Sequence, residues 1–287
     1  MIPRALTNDY EKIVRDSDKL FRTLDRANQQ EYSRMLKELR GEVADVYARY
    51  AAADGTLSYA EMQKHKRIDK LKNNIDSIVK NRLNYINNQT LETFNKNITT
   101  AYTAASLTLM GLGITETPAS KNINQTTVSS IIQRPINGLS YDEKIGARMR
   151  EIEEKIKRAV VVGFVGVGTF YTISKTLKTT IEKDFIKTRS YTGDTMHRIS
   201  QDATFKAVLN SSKRSTKGNL TKTWVTMGDA IVRPAHRYLN GQTVDLEDDF
   251  EIPSGEWAGY KAQGPYGFNE PALDNYCRCW LTYGSKS

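Results

Sequence analysis

Two cysteines stand two positions apart near the end of the chain, Cys277 and Cys279, with Arg278 between them. They are the only cysteines in 287 residues, too few for a secreted disulfide framework. Side chains alternate faces along a strand, so in a strand both sulfurs point one way and Arg278 the other. A disulfide across one intervening residue would close a tight, strained loop. Both thiolates could instead reach one zinc ion, with Zn–S near ~2.3 Å. His236 is the natural third ligand, and Asp229 or Asp245 a possible fourth. The competing reading is two small buried cysteines beside a histidine hydrogen-bonded in the core. Cys277 or Cys279 with His236 and Asp229 also contains the parts of a thiol hydrolase. No local protease motif surrounds the cysteines.

Around these residues the pattern is that of a small packed unit. Pro234 favours a first helical turn, which sets Arg233 and His236 close together. Trp224, Phe250, Trp257 and Trp280 supply the burial that so short a unit needs. The acidic run Asp245–Glu251 lacks the spaced oxygens and central glycine of an EF-hand loop. His65 and His197 have no His or Cys four residues on. There is no phosphate-binding P-loop, and the glycines at 163, 166 and 168 do not make a dinucleotide fingerprint.

The elements that must position the site follow from periodicity. Leu36, Leu39, Val43, Val46 and Tyr50 form one stripe within a helix over residues 10–50. Asp54-Gly55 marks a turn, and Ser58 with Glu61 opens a second helix. Its stripes run through Ile68, Leu71, Ile75 and Ile78 and then from Leu91 to Leu109, with Asn87-Asn88 as a possible break. Residues 111–139 read as irregular around a short helix at Thr126–Gln133. Ser140 and Glu143 open another helix, whose stripe runs from Ile145 to Ile156. The apolar run Ala159–Ile173 is shorter than the ~20 residues of a membrane span. It reads as a buried helix end, a glycine turn and a new helix start capped by Thr169. A stripe from Phe170 to Phe185 and a separate helix over Thr192–Leu209 complete the helical part. Strands are expected at Thr221–Met227, Thr243–Leu246 and Tyr276–Tyr283. The fold class is therefore α+β: a mostly helical N-terminal region followed by a small β-containing C-terminal unit. The irregular stretch over 111–139 and the change of character near residue 211 divide it into a basic helical arm over 1–139, a helical part over 140–210 and a compact β-containing unit over 211–287.

Charge is uneven. Residues 191–287 hold eleven basic and eleven acidic side chains, so the whole net charge of +9 lies in residues 1–190. A basic half beside a neutral half suits a polyanionic neighbour, and equally a lysine-rich solvated helix surface. The N-terminus shows no apolar secretory segment.

Taken in order, Lys222-Thr223-Trp224, Asp229, Arg233-x-x-His236, Asn240-Gly241, Asp245, Phe250, the Gly/Pro loop over 253–265 and Cys277-Arg278-Cys279 resemble the phage Mu F-like minor head proteins, also called head morphogenesis proteins. The resemblance is specific over 222–283 and looser over 140–210. There, Thr188-Arg189-Ser190 stands where the family carries Arg-Thr-Glu. The resemblance implies a virion protein made in the bacterial host cytoplasm and placed inside the head near the portal. It implies roles in head morphogenesis, DNA packaging or DNA ejection. Expected partners are the portal protein, the major capsid or scaffolding protein, and packaged double-stranded DNA, with no membrane. No enzymatic activity is expected. The alternatives are a DNA-binding protein ejected with the genome, or a nuclease, thiol hydrolase or toxin-like transferase with its site around His236.

Overall fold

The computed structural model describes residues 4–116, 123–135, 138–165, 169–215 and 220–285. Helix α1 spans Arg4–Tyr50. Its buried positions Met35, Leu39, Val43 and Tyr47 step by four, and Leu36, Val46 and Tyr50 flank them half-buried. The apolar face is thus the expected one, with its centre displaced by one residue.

Ser58 caps the next helix as expected, its hydroxyl accepting from the Glu61 amide at 3.2 Å. That helix, α2, is only Tyr59–Gln63. A single 3₁₀ turn over Lys64–Lys66 follows, with His65 at φ 53° and Lys66 at φ 55°. Helix α3 then runs unbroken over Arg67–Gly111. The break expected at Asn87-Asn88 does not occur. Ile86, Thr90 and Phe94 are all buried on one face, and their packing outweighs the modest helix penalty of two asparagines.

Helix α4, Gln125–Gln133, is capped by the Asn124 side chain, which accepts from the Thr127 amide at 2.8 Å. Helix α5 is Tyr141–Val165 and α6 is Phe170–Ser212. Gly166 and Gly168 of the expected turn lie outside the described residues. On its far side Thr169 Oγ1 accepts from the Thr172 amide at 3.4 Å, so the expected cap is present. Gly163 has a packing reason, since a Cβ there would fall 2.3 Å from Ile173 Cγ1. Helix α6 joins the two helices expected from periodicity. Gly193 lies inside it, where a Cβ would press on the Phe21 ring at 3.0 Å. Among the described residues no helix is long and apolar enough to cross a membrane.

The residues sort into two compact units, each discontinuous in sequence. One comprises residues 23–91 and 142–191. Parts of α1, α3, α5 and α6, together with α2, share a core there that includes Met35, Leu39, Ile75, Val79, Ile156, Phe164 and Leu177. A polar knot sits within it. Tyr32 donates to Asp184 at 2.6 Å and lies 2.7 Å from Thr188 Oγ1, and Arg148 pairs with the same carboxylate at 3.2 Å.

The other unit comprises residues 1–22, 92–141 and 192–287. It draws on all three segments expected from the sequence. Its sheet has β1, Leu220–Val225, at the centre, antiparallel to both β2, Thr243–Asp245, and the C-terminal β5, Trp280–Ser285. Between them come α7, Pro234–Leu239, the short ribbon of β3, Phe250–Glu251, with β4, Lys261–Ala262, and α8, Pro271–Asp274.

Alternation along β1 turns Leu220, Lys222 and Trp224 inward. Lys222 is fully buried, and its Nζ has no hydrogen-bond partner among the described residues. It lies 5.1 Å from the Phe205 ring centroid and 5.5 Å from that of Phe250. Cation–π attraction offsets only part of the lost hydration. Burial lowers the ammonium to about 8, against the opposing pull of Asp249 and Asp248. Below that pH both folded and unfolded chains hold the proton, and the penalty is constant. As pH rises from 8 toward the unfolded value of 10.5, the folded state releases its proton first and gains stability. Lys222→Met is therefore expected to stabilise the protein at pH 7 by on the order of 1–3 kcal/mol. The gain should shrink toward zero by pH 10.5. Paired thermal melts of the two proteins across this range check it. A gain that does not change with pH would disprove the account.

Candidate metal centre

His236 comes from α7. Arg233, the residue before Pro234, is extended (φ −58°, ψ 143°), as a residue before proline must be. Pro234 then starts a helix of six residues, which turns Ala235, His236 and Leu239 inward. The His236 ring is 2% exposed and meets Trp224 edge-on, with centroids 5.5 Å apart, and Phe268 in a stack at 5.9 Å.

The cysteines come from the run between α8 and β5. The expected strand over Tyr276–Tyr283 begins only at Trp280, so Cys277 and Cys279 precede it. Sheet pairing stops at Val225↔Trp280, the end of β1, and the residues before it lack a ladder partner. Alternation survives nonetheless: Cys277 and Cys279 are both 2% exposed and Arg278 faces out. Tyr276, at φ 58°, turns the chain into this run.

Hydrogen bonds between side chains and its backbone hold the run in place. One face of α6 offers Asp194, His197 and Gln201, spaced i, i+3 and i+7. Asp194 accepts from the Tyr276 amide at 2.8 Å. His197 Nε2 meets the Cys279 carbonyl at 3.0 Å, and Gln201 Oε1 accepts from the Leu281 amide at 3.3 Å. Tyr266 donates its hydroxyl to the Cys277 carbonyl, and Arg233 donates to that of Asn275. In the sequence His197 stands out only as a histidine with no His or Cys four residues on, and Asp194 and Gln201 do not stand out. Their helical spacing was the available signal, but nothing in the sequence says which backbone they meet.

The two sulfurs converge on one nitrogen. His236 Nδ1 lies 3.6 Å from Cys277 Sγ and 3.5 Å from Cys279 Sγ. Both cysteines are free thiols. The hydrogen bond from Cys277 holds the Cys279 thiol below its ordinary pKa, with His236 helping, while burial pushes Cys277 up. The pair thus favours one shared negative charge.

Neither aspartate proposed as a partner joins this group. Asp229 accepts from Arg278 at 2.8 Å on both carboxylate oxygens, at the exposed side of the run. That ion pair holds its carboxyl below the usual range. Asp245 pairs with Thr221 across the sheet, in β2. A Cys-His-Asp hydrolase arrangement through Asp229 is therefore not formed. The cavity bordered by His236, Cys279, Val232 and Arg233 is about 20 Å³, far below the several hundred Å³ of a substrate pocket. Of the aromatics expected in the core, Trp224, Phe250 and Trp280 are buried, and Trp257 is half-buried against Tyr260.

Over 258 residues the chain is 22% identical to minor head protein GP7 of Bacillus phage SPP1, covering 88% of this chain and 79% of that protein. It resembles a bacteriophage minor head protein over most of its length. A shorter similarity, 21% identity over 157 residues, links it to the NAD(+)--arginine ADP-ribosyltransferase EFV of Enterococcus faecalis. That match covers 55% of this chain but 31% of the transferase, so the chain spans about a third of that relative. No family model and no solved structure matches the chain.

Proposed function

We propose that the chain is a minor head protein of a tailed bacteriophage, of the Mu F-like kind. In this reading it sits inside the head near the portal and assists head morphogenesis, DNA packaging or ejection. The observation that carries it is the extent of the likeness to the SPP1 minor head protein. At 88% of the chain, the match is too long to belong to either compact unit alone. The ordered residues from Lys222 to Cys279 support the same placement. The portal, the capsid or scaffolding protein and packaged duplex DNA are its partners in this reading. The net positive charge of residues 1–190 favours phosphate contacts that carry no base information.

The role is structural. The transferase likeness is the observation in favour of an enzyme, but the space beside His236 would admit no dinucleotide. Quantitative mass spectrometry of cross-linked, purified particles tests the assignment. Few copies per head, joined to portal and DNA, are expected. Absence from mature particles would overturn it, as would turnover of NAD+ by the purified protein.

A further inference from the structure

We propose that His236, Cys277 and Cys279 bind one zinc ion, with water as the fourth ligand. Among the described residues, this is the group of three metal-ligating side chains whose donor atoms all lie within 4.8 Å of one another, and all three are buried. Zn–S bonds of ~2.3 Å and Zn–N bonds of ~2.05 Å at tetrahedral angles set the N···S edge at about 3.6 Å. The two Nδ1–Sγ separations, 3.6 and 3.5 Å, lie on that edge. In a hydrogen-bonded arrangement Cys277 donates to Cys279 and only one thiol hydrogen can go to the imidazole nitrogen, so the second short Nδ1–Sγ separation is a contact without a hydrogen bond. A metal at the common focus uses all three lone pairs.

Charge and space agree with this. Two thiolates neutralise a divalent ion, so the site is buried without net charge. Binding releases the remaining thiol proton or protons to solvent. Soft sulfur with one imidazole selects zinc over magnesium or calcium. Asp229 is held by Arg278 and supplies no fourth ligand. The adjoining cavity of about 20 Å³ is the size of a single water. The ion would tie α7 to the run before β5, stapling a unit whose sheet is small.

The full-length chain, expressed with added zinc and purified without chelator, should carry about one zinc per chain by elemental analysis. Cobalt in its place should give a thiolate-to-cobalt charge-transfer band. The Cys277→Ser/Cys279→Ser double variant should lose both signals. A folded wild-type chain with no zinc and no cobalt–thiolate band overturns the proposal, as does a double variant that keeps its zinc. If the double variant does not fold, the metal content and cobalt spectrum of the wild type decide alone.

Discussion

Replacing Arg198 with methionine is expected to cost about 2–5 kcal/mol of stability, from two carbonyls left without donors. Arg198 is 1% exposed and lies on α6. Its guanidinium donates to the carbonyls of Ile131 and Ile132, at 2.9 and 3.1 Å, and pairs with Asp202 at 3.0 Å. Those carbonyls belong to the last turn of α4, where no helical donor remains for them. A side chain from a distant helix therefore caps α4. Methionine fills the volume but leaves two acceptors buried without donors. Asp202 keeps Arg134, 3.0 Å away, so the loss concentrates on α4. Arg198→Lys should recover only part, because an ammonium cannot span both carbonyls as the planar fork does. Denaturant unfolding followed by tryptophan fluorescence reads the change, because Trp224 and Trp280 lie buried in the same unit. A loss below about 1 kcal/mol would show that the caps are dispensable.

Trp224→Ala should have a comparable effect, a loss of about 3–5 kcal/mol. Trp224 is fully buried at the centre of the small sheet unit. Its ring meets Phe250 edge-on at 5.3 Å, Phe268 at 6.0 Å and His236 at 5.5 Å. Truncation leaves a cavity that three rings and a paired strand can fill only by moving. His236 is one of those walls, so its alignment with the two sulfurs should loosen too. Trp224→Phe keeps most of the contact and should cost clearly less. Tyr171→Ala is the control, with a ring 71% exposed on another unit and an expected change within ~0.5 kcal/mol. Equal losses for Trp224→Ala and Tyr171→Ala would refute the assignment of Trp224 as the organising side chain.

Much of this was legible in the residues. Period-3.6 stripes placed most of the helices, Ser58 and Thr169 mark real starts, and the α+β layout follows from the change of pattern after residue 210. Local rules were less reliable where packing had the last word. Asn87-Asn88 and Gly193 sit inside unbroken helices because buried neighbours on both sides outweigh their weak propensities. The strand holding Trp280 starts later than its sequence suggests because β1 has no further residue to pair with it.

The cysteines show the division most clearly. Their two-residue spacing alone puts both sulfurs on one face, with Arg278 on the other, even without a sheet partner. Spacing says nothing of a histidine forty residues earlier or of a helix eighty residues earlier. Only tertiary packing brings His236 Nδ1 to within 3.6 Å of both sulfurs and sets Asp194, His197 and Gln201 against the run's backbone. Only packing turned Asp229 outward to Arg278. The reason is physical. Alternation is a property of the local backbone, whereas convergence of donors depends on which buried surfaces find one another.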